Sequence, residues 1–104
     1  ENPPSAIFAS NDYMAAGVLK AAVQMRIPVP HELSVCGFDD SPIAHYLVPT
    51  LTTVRHPVAM LAESAGELLI RRLKKYVDSY ELPDMKAELV VRESTGPVSS
   101  KFST

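Results

Sequence analysis

The fold is decided by one stretch of the sequence, Leu33-Ser34-Val35-Cys36-Gly37-Phe38-Asp39-Asp40-Ser41. An apolar run of strand length ends at Gly37, and an aromatic residue and two adjacent carboxylates follow it. In an open parallel sheet, ligands bind in the crevice beyond the carboxyl ends of the strands. Two ionised carboxylates there need hydrogen-bond donors, which a hydroxyl-rich ligand, a metal ion or backbone amides could supply. The alternative is that one Asp caps the turn while the other is solvated.

A strand and a helix precede this stretch. Residues 5–9 have the length and apolar character of one buried strand. Asn11 is among the polar residues that can cap the helix that follows, and apolar residues recur at spacings of three and four from Tyr13 to Gln24. Strand, helix and strand within about 30 residues predict a βαβ unit with parallel strands. Asn11 and Asp39 should then lie at the same edge of the sheet, an arrangement that suits a neutral polar ligand.

Gly17 lies inside that predicted helix, where Gly costs about 1 kcal/mol relative to Ala. We therefore expect another backbone or helix to approach this position, and a subunit contact is one candidate. Further along, the pattern predicts a short helix over 42–47, a strand over 51–55, a long helix over 57–76, and a last strand over 87–93. The residues from Ser94 onward read as a loose tail.

Composition narrows the class of protein. The chain has 104 residues, a net charge of −2 and 46% hydrophobic residues, which indicates one globular domain. The absence of a strongly basic stretch argues against nucleic-acid binding by these residues. No apolar run approaches the roughly 20 residues needed to span a bilayer. The single cysteine, Cys36, lies inside an apolar strand, where a small buried side chain is expected rather than a nucleophile.

Several motifs together resemble the lac-repressor-type (LacI/GalR) regulators. They are Ala9-Ser10-Asn11-Asp12-Tyr13-Met14-Ala15-Ala16-Gly17, Val29-Pro30, Leu33-Ser34-Val35-Cys36-Gly37-Phe38-Asp39-Asp40, Pro49-Thr50-Leu51-Thr52-Thr53-Val54-Arg55 and Leu89-Val90-Val91-Arg92-Glu93-Ser94-Thr95. Their order and spacing cover nearly the whole chain. The resemblance implies an α/β parallel-sheet fragment of a periplasmic-binding-protein-like (type I) sensor domain. It also implies a bacterial transcription regulator that is located in the cytoplasm and acts as a repressor.

The resemblance carries specific expectations for residues. Asn11 and Asp39 match the family positions that hydrogen-bond a small-molecule effector, and His56 and Val58 lie where the family's chain crosses between lobes and sometimes contacts effector. The family's subunit-contact surface implies a homodimer here and corresponds to the following positions: Ala16, Gly17, Tyr46 and Leu47. The effector is expected to be sugar-like or a nucleoside or purine, no cofactor is expected, and operator DNA is read by another domain.

The resemblance also implies a division of the chain. Residues 1–54 correspond to a βαβ segment of the C-terminal lobe, 55–84 to a crossover and a long helix that belong to the other lobe, 85–95 to a final strand and 96–104 to a tail. The family's N-terminal helix-turn-helix domain is not expected in these residues. One departure is Arg26, which stands where the family usually has a helix-ending Gly, so a left-handed cap there would be strained by about 1 kcal/mol.

Two other functions remain to be weighed. A secreted sugar-binding protein shares the implied fold and could use Asn11 and Asp39, although the strand over 51–55 resembles the regulators more. An enzyme could use Asp39, Asp40 and His45 as metal ligands or as acid and base. The other histidines lie in separate segments, and the sequence has no Ser-His-Asp arrangement or Gly-rich phosphate loop. We therefore expect no catalytic residues and no metal site.

Overall fold

The computed structural model describes residues 2–75 and 81–100, and the chain forms two units. The first comprises Glu1–Arg55 and Glu88–Thr104, and the second comprises His56–Ala87. The chain divides after residue 55 and after residue 87, whereas the expected divisions fall after residues 54 and 84. The assignment of the second unit to the other lobe of a sensor domain stays a prediction.

The first unit is a small α/β layer. Its elements are strand β1 (Ala6–Phe8), helix α1 (Asp12–Gln24), strand β2 (Ser34–Cys36), a 3-10 helix (Pro42–His45), strand β3 (Thr53–Arg55) and strand β4 (Glu88–Val90). β1 and β2 pair in parallel, with Ile7 opposite Val35. A parallel bridge between Cys36 and Thr52 continues the pairing towards β3, and β4 runs antiparallel to β3. The predicted parallel βαβ unit is confirmed, although each strand is shorter than its apolar run.

The core of this unit lies between α1 and the strands. Its buried apolar residues come from both layers and from the connecting loops, and they are Ala9, Ala15, Leu19, Ala22, Leu33, Val35, Ala44 and Leu51. The helical members recur at spacings of three and four. Of the apolar positions that the sequence pattern directs to the core, Leu19 and Ala22 are buried and Val18 is partly buried. Met14 and Met25 were expected on the same face and are exposed. The small side chains of Ala15 and Ala22 let α1 pack close to the strands.

Both ends of α1 are capped by local interactions. At its start, the Asn11 Oδ1 atom accepts a hydrogen bond from the Met14 N–H at 2.8 Å. At its end, Arg26 adopts a left-handed conformation with φ 57°, and the Ile27 N–H donates to the Ala22 carbonyl at 2.8 Å. The N–H of Arg26 donates to the Val23 carbonyl at 3.1 Å. This pattern is a Schellman cap. Arg26 occupies its left-handed position, which Gly usually occupies because the conformation is strained for residues with a Cβ atom.

The environment of Gly17 differs from the expectation within this chain. A Cβ atom added there would meet nothing within 4 Å, so none of the described parts of the chain approaches it. The expectation that another backbone or helix of this chain approaches Gly17 is therefore wrong for the described residues. The subunit contact stays a proposal.

The expectation of a loose tail from Ser94 onward is wrong for residues 94–96, and residues 101–104 lie outside the described part of the chain. Ser94 is fully buried; its hydroxyl donates to the Val35 carbonyl at 2.6 Å and accepts from the Thr52 N–H at 2.8 Å. The Gly96 N–H donates to the Ser34 hydroxyl at 3.1 Å. The regular strand is confined to β4, and the chain after it is held beside β2 by side-chain hydrogen bonds.

The second unit contains helix α2 (Val58–Leu73). Of the helix predicted over 57–76, residues 58–73 are helical. Residues 74 and 75 form a turn after the helix, and residue 76 lies outside the described residues. Ser64 is the helix residue with a buried side chain, at 5% exposure. Large apolar side chains along the helix are exposed in this chain, namely Val58, Met60, Leu61, Leu69, Ile70 and Leu73. Over the part of the chain that is described, no helix is both long and apolar enough to cross a membrane.

Candidate functional site

The carboxyl ends of β1 and β2 meet at one edge of the sheet. The Ala9 N–H donates to the Cys36 carbonyl at 2.8 Å, and the Asp12 N–H donates to the Phe38 carbonyl at 3.1 Å. Asn11 lies between Ala9 and Asp12 in the chain, and Asp39 directly follows Phe38. The structure therefore brings these two predicted site residues to the same edge, as a parallel βαβ unit requires.

Asn11 has a structural task at this edge. Its Oδ1 atom caps α1, which satisfies one of the orphan amides of the first turn. The cap also fixes the carboxamide plane, because the oxygen is held at 2.8 Å from the Met14 nitrogen. Among the described residues the Nδ2 group donates no hydrogen bond, so a carboxamide of fixed orientation presents two N–H donors at the sheet edge.

Asp39 lies on a loop with an unusual backbone. Its φ is 112° and that of Asp40 is 51°, both in the region that L residues rarely adopt. The loop is nevertheless fixed: the Asp39 N–H donates to the Val54 carbonyl at 2.9 Å, and the Asp40 N–H donates to the Thr53 hydroxyl at 3.2 Å. The Asp39 side chain is thus exposed at the end of β2 while its backbone is held by the neighbouring strand.

Asp12 is a member of the site region that sequence reasoning missed. Its side chain is completely buried; Oδ1 accepts from the Thr53 hydroxyl and Oδ2 accepts from the Ser41 N–H, each at 2.6 Å. In the sequence Asp12 is only one more polar residue beside Asn11, and no local pattern marks its role, because its two side-chain partners lie 29 and 41 residues away. The structure also shows why position 37 is Gly, since an added Cβ there would overlap Asp12 Oδ1.

Asp40 is held by two arginines. Arg92 Nη2 donates to its Oδ1 and Arg55 Nε donates to its Oδ2, both at 2.8 Å. The Asp40 side chain is 7% exposed. Burial by itself raises the pKa of this carboxyl, but the hydrogen bonds and charges of Arg55 and Arg92 outweigh it and hold the pKa below its usual value. The resemblance implies a structural role for Asp40, which was expected to hold the turn through nearby amides. In the structure the partners of its carboxylate are instead the guanidinium groups of Arg55 and Arg92.

The other predicted effector residues lie in the second unit. Val58 is the first residue of α2 and is 58% exposed, and its N–H donates to the His56 carbonyl at 2.9 Å. Their contact with effector stays a prediction that rests on the resemblance.

The residues predicted for a subunit contact belong to two surface segments of the first unit. Ala16 is half-buried and Gly17 is exposed on α1. Tyr46 follows the 3-10 helix and is 82% exposed, whereas Leu47 is half-buried against the core. The exposed members leave an apolar and small-residue surface, and its role stays a prediction.

The side chains that could serve an enzyme have the following surroundings in the structure. Within residues 2–75 and 81–100, no group of three or more His, Cys, Asp or Glu side chains is arranged to hold a metal ion. Burial, with a contribution from Asp12, raises the pKa of the Cys36 thiol, which disfavours the thiolate that a nucleophile needs. His45 Nε2 lies 4.0 Å from Asp40 Oδ1, but that carboxylate is already bound by Arg55 and Arg92.

An apolar groove of about 350 Å³ lies elsewhere in the first unit. It is lined by Pro3, Pro4, Ile7, Val18, Ala21, Ala22, Met25, Ile27, Glu32 and Leu33. These residues come from β1 and the segment before it, from the second half of α1 and from the segment between α1 and β2. Neither Asn11 nor Asp39 contributes to the groove. With one charged side chain in its lining, the groove lacks the convergent polar groups that would orient a polar ligand.

Comparisons with known proteins agree with this geometry. The periplasmic binding protein-like domain matches residues 1–95. The ribose operon repressor of Halalkalibacterium halodurans is 44% identical over 86% of this chain and 27% of that protein. The HTH-type transcriptional repressor PurR of Vibrio vulnificus is 32% identical over 95% of this chain and 30% of that protein.

A LacI family transcriptional regulator from Lactobacillus casei, solved with bound sucrose, has a similar structure. Its TM-score is 0.77 at 34% identity, over 88% of this chain and 34% of that chain. The chain belongs to the periplasmic binding protein-like domain family, in the form found in LacI/GalR transcriptional regulators. The resemblance and the fold class stated from the sequence are thus confirmed. The chain spans less than a third of the length of the two repressors compared above.

Proposed function

We propose that this chain is the effector-sensing and dimerisation portion of a bacterial DNA-binding transcriptional regulator, a repressor that works in the cytoplasm. The observation that carries the proposal is the pairing of Asn11 and Asp39 at one sheet edge, in a chain of this family. The regulator reads operator DNA through a domain outside these residues. Its relatives are transcriptional regulators rather than enzymes, and no catalytic step is assigned to the site.

The chemistry of the edge favours a neutral ligand rich in hydroxyl groups. The Asp39 carboxylate accepts hydrogen bonds from ligand hydroxyls, and the Asn11 Nδ2 group donates to hydroxyl oxygens. A sugar offers donors and acceptors on adjacent carbons and needs no compensating charge. The name of the ribose operon repressor and the sucrose bound to the Lactobacillus casei regulator support a sugar, while nucleosides and purines remain in the candidate class.

The regulator works by a shift between two arrangements of its lobes. Effector stabilises one arrangement by its difference in affinity for the two. In this proposal Asn11 and Asp39 bind effector from one lobe, and His56 and Val58 contact it where the chain crosses between lobes. The closed arrangement then changes how the dimer presents its DNA-binding domains.

The test is a thermal-shift screen of the full-length protein with D-ribose, sucrose, D-glucose, nucleosides and purines. A ligand that binds the native state raises its Tm by mass action. A hydrogen bond to a charged group contributes about 1.5–3 kcal/mol, so Asp39→Asn should weaken binding by about tenfold or more. Asp84→Asn, which changes an exposed carboxylate of the second unit, is the matched control. Equal affinity of wild type and Asp39→Asn would remove Asp39 from the site.

The homodimer has its own test. Gly17 and Gly66 are both helical glycines at which a Cβ meets nothing within 4 Å, so either position accepts a larger residue within the chain. Gly17→Leu should convert a dimeric full-length protein towards monomer in sedimentation experiments, and Gly66→Leu should not. A Gly17→Leu protein that stays as dimeric as wild type would contradict the proposed surface.

A further inference from the structure

The loop that carries Asp39 has a conformation that must be held by its surroundings. Two consecutive non-glycine residues, Asp39 and Asp40, have φ values of 112° and 51°. Such backbone conformations are energetically unfavourable for L residues and persist only where neighbouring groups fix them. The contacts that fix this loop are therefore part of what places the Asp39 carboxylate.

Two buried side chains supply those contacts. Thr53 and Asp12 are both completely buried. The Thr53 hydroxyl accepts from the Asp40 N–H at 3.2 Å and donates to Asp12 Oδ1 at 2.6 Å. The other oxygen of Asp12 accepts from the Ser41 N–H at 2.6 Å. Two successive loop amides are thus bound to one connected pair of side chains.

Asp12 also lies next to Asn11, the other residue of the proposed effector site. Asp12 follows Asn11 directly, and its N–H donates to the Phe38 carbonyl at 3.1 Å. Asp12 therefore joins the start of α1 to the segment after β2 through its N–H and Oδ2, and to β3 through Oδ1. Gly37 leaves the space that this packing needs, because a Cβ there would overlap Asp12 Oδ1.

We infer that Asp12 and Thr53 are positioning residues, which fix the Asp39 carboxylate relative to the Asn11 carboxamide without touching the effector themselves. The inference rests on the proposed function, since it assigns a role within the same effector site. Thr53 is the better residue to change, because Val removes the hydroxyl at nearly constant volume and Ser keeps it.

The first measurement needs no ligand. In the full-length protein, hydrogen–deuterium exchange of the peptide that covers residues 38–42 is compared between wild type, Thr53→Val and Thr53→Ser. Loss of the acceptor for the Asp40 N–H should raise exchange in this peptide in Thr53→Val. Thr53→Ser should exchange at close to the wild-type rate. Equal exchange in wild type and Thr53→Val would overturn the role of Thr53 in holding the loop.

The second measurement is the affinity for D-ribose, sucrose and D-glucose by calorimetry. We expect Thr53→Val to weaken binding of the sugar that wild type binds by about tenfold, which corresponds to one lost hydrogen bond of about 1.4 kcal/mol. Thr53→Ser should restore it. In an Asp39→Asn background, Thr53→Val should cause little further loss, because the two residues act through one interaction.

The outcomes separate the inference from the function on which it rests. If Thr53→Val lowers the Tm but leaves both affinity and exchange unchanged, Thr53 is only structural and the inference fails while the proposed function stands. If Asp39→Asn leaves affinity unchanged, the proposed site fails, and the positioning role with it. If none of the three sugars binds wild type, the sugar proposal fails, and the exchange result decides whether Thr53 holds the loop.

Discussion

Arg92 and Arg55 bind the same carboxylate, but one arginine is buried and the other is exposed. The side chain of Arg92 is 12% exposed and that of Arg55 is 52% exposed, and each donates to Asp40 at 2.8 Å. Arg92 also donates from Nη1 to the Leu51 carbonyl at 2.9 Å. Replacing either arginine by Met removes its hydrogen bond to Asp40. Arg92→Met also removes the bond to the Leu51 carbonyl, and Arg55→Met also removes an exposed contact of 3.8 Å with Glu88.

Arg92→Met should lower the free energy of unfolding by about 2 kcal/mol. Removing one partner of a buried ion pair costs about 3–5 kcal/mol when the remaining charge is left alone. Asp40 keeps Arg55, which places the expected loss near the contribution of one charged hydrogen bond. Thermal unfolding of the full-length protein should show this loss as a fall in Tm, at roughly 2–4 °C for each kcal/mol in a domain of 150–250 residues. Arg55→Met should cause a distinctly smaller fall, because its bond is exposed and screened by solvent.

The dependence on pH follows from the pKa of Asp40. Because the folded-state pKa lies below the ordinary value, its stabilisation is present above the unfolded pKa of about 4 and is lost as the pH falls through the folded pKa. The difference in Tm between wild type and Arg92→Met should therefore stay constant from pH 7 to about pH 4 and narrow as the pH falls further. An equal or larger effect of Arg55→Met, or a difference in Tm that does not narrow below about pH 4, would refute the reasoning.

Two further predictions concern backbone positions, and each is checked by urea unfolding of the full-length protein. Arg26→Gly should raise the free energy of unfolding by about 0.5–1 kcal/mol, because Gly takes the left-handed φ of 57° without strain; a loss of stability would show that the Arg side chain contributes more than the strain costs. Gly37→Ala should lower it by about 1–3 kcal/mol, because the new Cβ meets Asp12 Oδ1 and lies 3.0 Å from Leu51 Cδ2. Its control Gly66→Ala, in open space on α2, should raise stability by about 0.5–1 kcal/mol, and the same sign for both would contradict the packing argument.

The helices and the parallel pairing of β1 and β2 could be predicted from the sequence because their causes are local. The stripe of apolar residues on α1 is set by spacings of three and four, and Asn11 caps the helix through an amide only three residues away. Parallel pairing of β1 and β2 follows from a strand, a helix and a strand in close succession. The shared edge for Asn11 and Asp39 follows from the same connectivity, and so this much of the candidate site was predictable.

The sequence by itself thus determined the α/β class, the helix caps and the two polar residues at the strand ends. Only the tertiary structure decided what holds them. Thr53 lies 41 residues from Asp12, Arg92 lies 52 residues from Asp40, and the hydroxyl of Ser94 reaches a carbonyl 59 residues away. Periodicity and capping rules describe neighbours along the chain, whereas a buried polar side chain is satisfied by whatever donor or acceptor the fold brings beside it. Residues 94–96, which the sequence predicts as the start of a loose tail, are therefore anchored. Asp12, which in the sequence is only a polar neighbour of Asn11, is buried beneath the proposed site.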